Sequence, residues 1–148
     1  MPHLSGQITP WGPLINAVIA VSGPRSAALA DAGQTVPPVV VARLVVDTGA
    51  SLTAVDATIL TQLGLTPSGQ VDIHTPSTQG VAHKANQYDI SLTLFGATNA
   101  ALVYTVAALP VIDGNFKAQG IDGLLGRDVL MHGRMSYLGD GGWYGISF

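Results

Sequence analysis

Val45-Val46-Asp47-Thr48-Gly49-Ala50-Ser51 is the stretch on which the reading of this chain turns. It ends a β-branched apolar run over residues 39–46. A carboxylate is costly to bury without partners, so an acid at the end of such a run implies a purpose. A small hydroxyl residue and a glycine follow it, and glycine allows a tight turn and the close approach of another chain or a ligand. The pattern predicts a carboxylate presented at a strand end, on a stiff loop, in apolar surroundings. In such a setting a carboxyl's acidity is tuned for acid–base work. Taken alone, the triplet has a commoner fate, a turn aspartate accepting backbone amides.

Working outward, residues 14–21 read as a strand, residues 22–25 as a turn, and residues 26–38 as a Gly/Pro-containing loop with one helical turn at 27–31. Residues 1–12, with Pro2, Pro10 and Trp11, read as an extended arm. After the Asp47 loop, residues 52–55 form a short strand, and Asp56 then caps a helix over 57–63 that Gly64 stops. Strands are predicted from residue 71 to 74 and from 81 to 94, around the polar tip Thr75-Pro76-Ser77-Thr78-Gln79-Gly80. In the second of them Tyr88, Ile90, Leu92 and Leu94 share one face. Residues 100–109 make another strand and residues 110–120 a loop. A short helix over 127–131 precedes a final hairpin, residues 134–138 and 143–148, turning at 139–142.

The 148 residues make one domain, 1–148, long enough to bury a core. Charged residues are only 10% of the chain, and all nine acids are aspartates. With no glutamate and two lysines, the usual fillers of exposed helix faces are missing, whereas 18 glycines and 9 prolines favour strands and turns. The net charge of −3, with no basic cluster, excludes an electrostatic footprint for nucleic acid. The absence of cysteine removes disulfides, thiolate catalysis and cysteine-based zinc sites together. No apolar run reaches a membrane span. Residues 14–21 mimic a signal-peptide core, but no Lys or Arg precedes them, and a strand and a cytoplasmic protein are the expectation.

A second block, Ile121-Asp122-Gly123-Leu124-Leu125-Gly126-Arg127-Asp128-Val129-Leu130, follows after strand-rich sequence. Together, and in this order, the two blocks resemble those of retroviral-type aspartic proteases, the retropepsins, in the style of their bacterial and cellular relatives. The likeness runs from about residue 12 to residue 130. It implies an all-β fold, a closed and mostly antiparallel barrel with one or two short helices, homodimeric, with a substrate-covering flap hairpin at about 71–94.

The resemblance also implies roles. Hydrolysis by carboxylates alone needs two that share a proton, one ionised to activate water and one protonated to assist the carbonyl. This chain has one Asp-Thr-Gly. Asp113-Gly114, Asp122-Gly123 and Asp140-Gly141 lack the hydroxyl residue and the apolar lead-in. A single copy implies a homodimer with the site on its two-fold axis. Asp47 is then the catalytic carboxylate, supported by Thr48, Gly49, Ala50 and Ser51, with Thr48 bonding across to the partner's loop. Thr78, Gln79 and Gly80 belong to the flap over a peptide or protein substrate. Leu125, Gly126, Arg127 and Asp128 support the loop from behind. Ser51 stands where many retroviral enzymes have an acid that pairs with the helix arginine, so Arg127 is expected to bond differently. The flap tip has one glycine, Gly80, rather than a glycine-rich run.

Two readings from other classes stay open at this stage. One is a catalytically silent dimer of the same fold that binds peptides or scaffolds a complex. The other is a metal-dependent hydrolase at His74 and His83, for which no third ligand has clear spacing. The expectation is no metal and no cofactor. Trp11, Trp143 and Tyr144 are read as packing or interface residues. The glycines at 139–142 are no phosphate loop, since no Lys-Ser/Thr or helix follows.

Overall fold

The computed structural model describes residues 1–75 and 79–148. In chain order it contains β1 (His3–Thr9), β2 (Gly12–Val21), α1 (Gly23–Asp31), β3 (Val40–Val46), β4 (Ala54–Asp56) and α2 (Ala57–Gln62). There follow β5 (Gly69–Ile73), β6 (His83–Phe95), β7 (Val103–Gly114), β8 (Gly123–Leu125), α3 (Arg127–Leu130), β9 (Arg134–Leu138) and β10 (Trp143–Ser147). Six strands close on themselves. β2 pairs antiparallel with β3, β3 runs parallel to β8, and β8 is antiparallel to β4. β4 is parallel to β7, β7 antiparallel to β6, and β6 returns antiparallel to β2. This is the expected closed, mostly antiparallel barrel of acid-protease type. β5 extends it beside β6, while β1, β10 and β9 extend it beyond β2.

The barrel closes because its strands alternate. Along β2, buried Ile15, Ala17, Ile19 and Val21 are separated by partly exposed residues, the period of two that turns one strand face inward. Ile90, Leu92 and Leu94 of β6 do the same, with a register shift between Ile90 and Leu92. Ile59, Leu60 and Leu63 of α2 and its C-cap plug the core together with Leu44, Val111, Leu125 and Val129. Each such side chain contributes roughly 1.5–3 kcal/mol by leaving water. At the outer edge the ring of Tyr104 stacks on Phe148, 4.0 Å between centroids.

Several local expectations are corrected. The extended arm expected at residues 1–12 is a paired strand: His3–Thr9 form β1, bonded to both β10 and β2. The turn expected at 22–25 is the start of α1, where the Ser22 hydroxyl accepts the Arg25 N–H and Pro24 occupies the first turn. Proline is tolerated there because its missing N–H would have had no helical partner anyway. Pro110 does not end its strand: β7 continues to Gly114. On the edge away from β6, pairing with β4 begins only at Ile112, so Pro110 precedes that ladder. By contrast Asp56 caps α2 as expected, and Gly64, at φ 65°, follows its C-terminus.

Candidate active site

β3 and β4 splay apart, and β8 runs between them, parallel to one and antiparallel to the other. The Asp47 loop therefore leaves β3 at a point where its neighbour belongs to the second sequence block. Asp47 N–H donates to Leu125 O at 3.0 Å, extending the β3–β8 ladder by one residue. The Asp47 side chain is half-buried at the strand end, and its Oδ1 accepts the Gly49 N–H at 2.8 Å. A Cβ on Gly49 would stand 3.1 Å from that same oxygen, so glycine suits the position. Thr48 and Gly49 are exposed at the tip of the loop, and Ala50 N–H closes it onto Asp47 O at 3.2 Å.

The second block braces this loop from behind. Arg127 N–H donates to Ala50 O at 2.9 Å, and its guanidinium Nη1 reaches Thr48 O at 3.5 Å. Arg127 makes no ion pair among the described residues, and Ser51 is exposed. Asp128 turns inward. It accepts the Thr53 N–H at 2.9 Å and the Thr53 hydroxyl at 2.7 Å, and that hydroxyl accepts the Gly126 N–H at 3.1 Å. Gly126 packs against backbone: an added Cβ would fall 2.5 Å from Leu52 C. Leu125 is fully buried in the core. Thr53 was missed by sequence reasoning; a hydroxyl inside the apolar run Leu52-Thr53-Ala54-Val55 was its signal.

Asp47 opens onto a cleft of about 520 Å³. Its walls are Leu52, Ala54, Ile73, Ile112, Phe116 and Leu124, with Asp113, His74 and Thr75 beside them. Ile73 ends β5, so the β5–β6 hairpin supplies one wall. Of the expected flap residues, Gln79 (φ 49°) and Gly80 (φ 82°) are exposed in the turn, while Thr78 lies outside the described residues. His74 borders the cleft and His83 opens β6 opposite Ile73. Among the described residues no group of three or more histidines and carboxylates is placed to hold a metal ion.

The Phe116 wall is anchored by Asp56, which is 2% exposed. Burial alone would raise this carboxyl's pKa. Hydrogen bonds from the Thr58 hydroxyl and from the N–H groups of Lys117, Thr58 and Phe116 outweigh burial and hold it at about 2. The capping residue of α2 thereby ties the loop after β7 to the core.

A closed six-stranded barrel carrying a strand-end Asp-Thr-Gly, with a Leu-Leu-Gly-Arg-Asp segment threaded behind it, defines an acid-protease framework. A family model described as Aspartyl protease matches residues 30–129, and the chain belongs to this retropepsin-like aspartyl protease family. No match to the chain is found among curated proteins. Within the described residues, no helix is long and apolar enough to cross a membrane.

Proposed function

We propose that the protein is an aspartic endopeptidase that works as a homodimer, with Asp47 of each chain forming one dyad. The observation that carries this reading is a half-buried carboxylate, present once per chain in an Asp-Thr-Gly loop, at the mouth of an apolar cleft. Two carboxyls a few ångströms apart do not both ionise, so the pair holds one proton and titrates as a unit. The ionised member takes a proton from water as the water attacks the peptide carbonyl, and the protonated member donates to the carbonyl oxygen. The exposed Thr48 pair holds the two loops together, and the brace from Arg127, Asp128 and Thr53 keeps each loop rigid. Substrate lies extended as an added strand beneath the β5–β6 hairpin, its main chain hydrogen-bonded and its side chains in apolar pockets. Activity is highest at mildly acidic pH, and no metal or cofactor takes part.

The test is digestion of an unstructured protein such as casein by wild type, Asp47→Asn and Asp47→Ala across the acidic and neutral range, with sedimentation for each. Cleavage by wild type and none by dimeric variants is the expected result. Cleavage by Asp47→Asn at the wild-type rate would refute the mechanism. A wild-type dimer that binds peptides without cutting them would establish the silent binding module instead.

A further inference from the structure

The cleft beside Asp47 is apolar on most sides but has a second carboxylate in its wall. Asp113 lies near the end of β7, where Ile112, Asp113 and Gly114 run parallel to Ala54, Val55 and Asp56. Its orientation is set by one residue of β6: Oδ1 accepts the Asn86 N–H at 3.0 Å and Oδ2 accepts the Asn86 side-chain N–H at 3.1 Å. A carboxylate has about four acceptor positions, so two bonds leave capacity on both oxygens. The two ion pairs among the described residues, Lys84–Asp72 and Lys117–Asp122, do not involve Asp113. The described lining contains no lysine or arginine; its titratable groups are Asp47, Asp113 and His74. The charge of Asp113 is felt nearby: burial first, and then this carboxylate, raise the pKa of Tyr88.

The wall next to Asp113 is built rather than incidental. The Phe116 ring folds over Gly114, where an added Cβ would fall 2.5 Å from it, and Asp56 fixes the Phe116 backbone at 2.8 Å. Ile112, Leu52 and Phe116 thus offer a surface for methylene groups, and Asp113 offers an oriented anion beside them. Long basic side chains have this composition, an apolar stem and a charged head.

We propose that Asp113 is a specificity-determining residue and that this cleft takes a substrate lysine or arginine, its stem on the apolar wall and its cationic end on the Asp113 carboxylate. The inference rests on the protease reading for its context, but the pocket's preference can be measured without catalysis. A charge-assisted hydrogen bond at a partly exposed site gives a preference of about tenfold.

The experiment uses the full chain carrying Asp47→Asn. Labelled short extended peptides are titrated at neutral pH, with lysine, norleucine or glutamate placed at each position in turn. At one position lysine should bind about tenfold tighter than norleucine, and glutamate should bind weakest. Adding Asp113→Asn should bring lysine and norleucine to equal affinity without weakening the norleucine peptide. Asp113→Ser, which keeps an acceptor for Asn86, serves as a second variant if the amide perturbs folding. A merely structural Asp113 would weaken all peptides alike. Equal binding of lysine and norleucine at every position, or a lysine preference that survives both variants, overturns the proposal. Wild-type cleavage of the same peptides reports on Asp47 separately. Selective binding without cleavage removes the protease reading and leaves the Asp113 assignment standing.

Discussion

Removing the Asp128 carboxylate tests the brace behind the loop most directly. Thr53 is fully buried, and its N–H and hydroxyl both donate to Asp128, at 2.9 and 2.7 Å. In Asp128→Ala the Thr53 N–H is left buried and unpaired, at a cost of about 1–3 kcal/mol. The hydroxyl also loses its acceptor but still accepts the Gly126 N–H, so its share is smaller. The sum is about 3 kcal/mol, which for a chain of this size lowers Tm by roughly 6–12 °C. Thr53→Val should cost about 2 kcal/mol, since it loses the bond to Asp128 and strands the Gly126 N–H. The Thr53–Asp128 hydroxyl bond is lost only once in the double variant, which should therefore be about 1 kcal/mol less destabilised than the sum. Urea denaturation of the four proteins at one chain concentration measures this. A loss below about 1 kcal/mol for Asp128→Ala, or additivity within about 0.3 kcal/mol, would refute the reasoning.

Other perturbations follow from the same geometry. Gly126→Ala drives a Cβ to within 2.5 Å of Leu52 backbone, which has no flexible end to yield, so at least about 3 kcal/mol should be lost; a native-like melting curve by circular dichroism would contradict this. Asp56 has a folded pKa of about 2, below its ordinary 3.8. Its stabilisation of about 2 kcal/mol is thus complete above the ordinary value and fades as pH falls from about 4 towards 2. Asp56→Asn should flatten that part of the acid stability profile, and an unchanged slope would sink the assignment. Tyr144, its hydroxyl donating to Leu14 O at 2.5 Å, is pushed by burial to about 12. A raised pKa stabilises below the unfolded value near 10 and the benefit is lost towards about 12. Tyr144→Phe should cost about 1 kcal/mol at neutral pH and weaken the alkaline dependence of unfolding.

The parts of the site that were legible in the sequence are those specified by neighbours along the chain. The Asp56 cap, the Gly64 stop and the strand running into Asp47 each depend on a few adjacent residues, and local chemistry dictates them. The second block was legible through its resemblance to the retropepsin segment, and the structure shows why its glycines matter: Gly123 and Gly126 pass close to other backbone. What escaped depends on register between distant strands. Asp113 falls in the segment 110–120 that the sequence presents as a loop; only the pairing of β7 with β6 and β4 sets it in the cleft beside Asn86. Thr53 escaped for the same reason, its partner lying 75 positions away. α1 was shortened because Ser22-Gly23-Pro24 is equally good turn chemistry, and no buried apolar face marks the helix.

The insertion of β8 between β3 and β4 also sets an order of events during synthesis. A ribosome adding roughly 5–20 residues per second incorporates Asp47 some 4–16 seconds before Gly126 and Asp128. During that interval the loop has neither its ladder partner at Leu125 nor the acceptor for Thr53. Contacts of such long sequence separation also slow folding. The nascent chain therefore carries Asp47 on an unbraced loop, and the architecture delays the completed loop until residue 128 has been made.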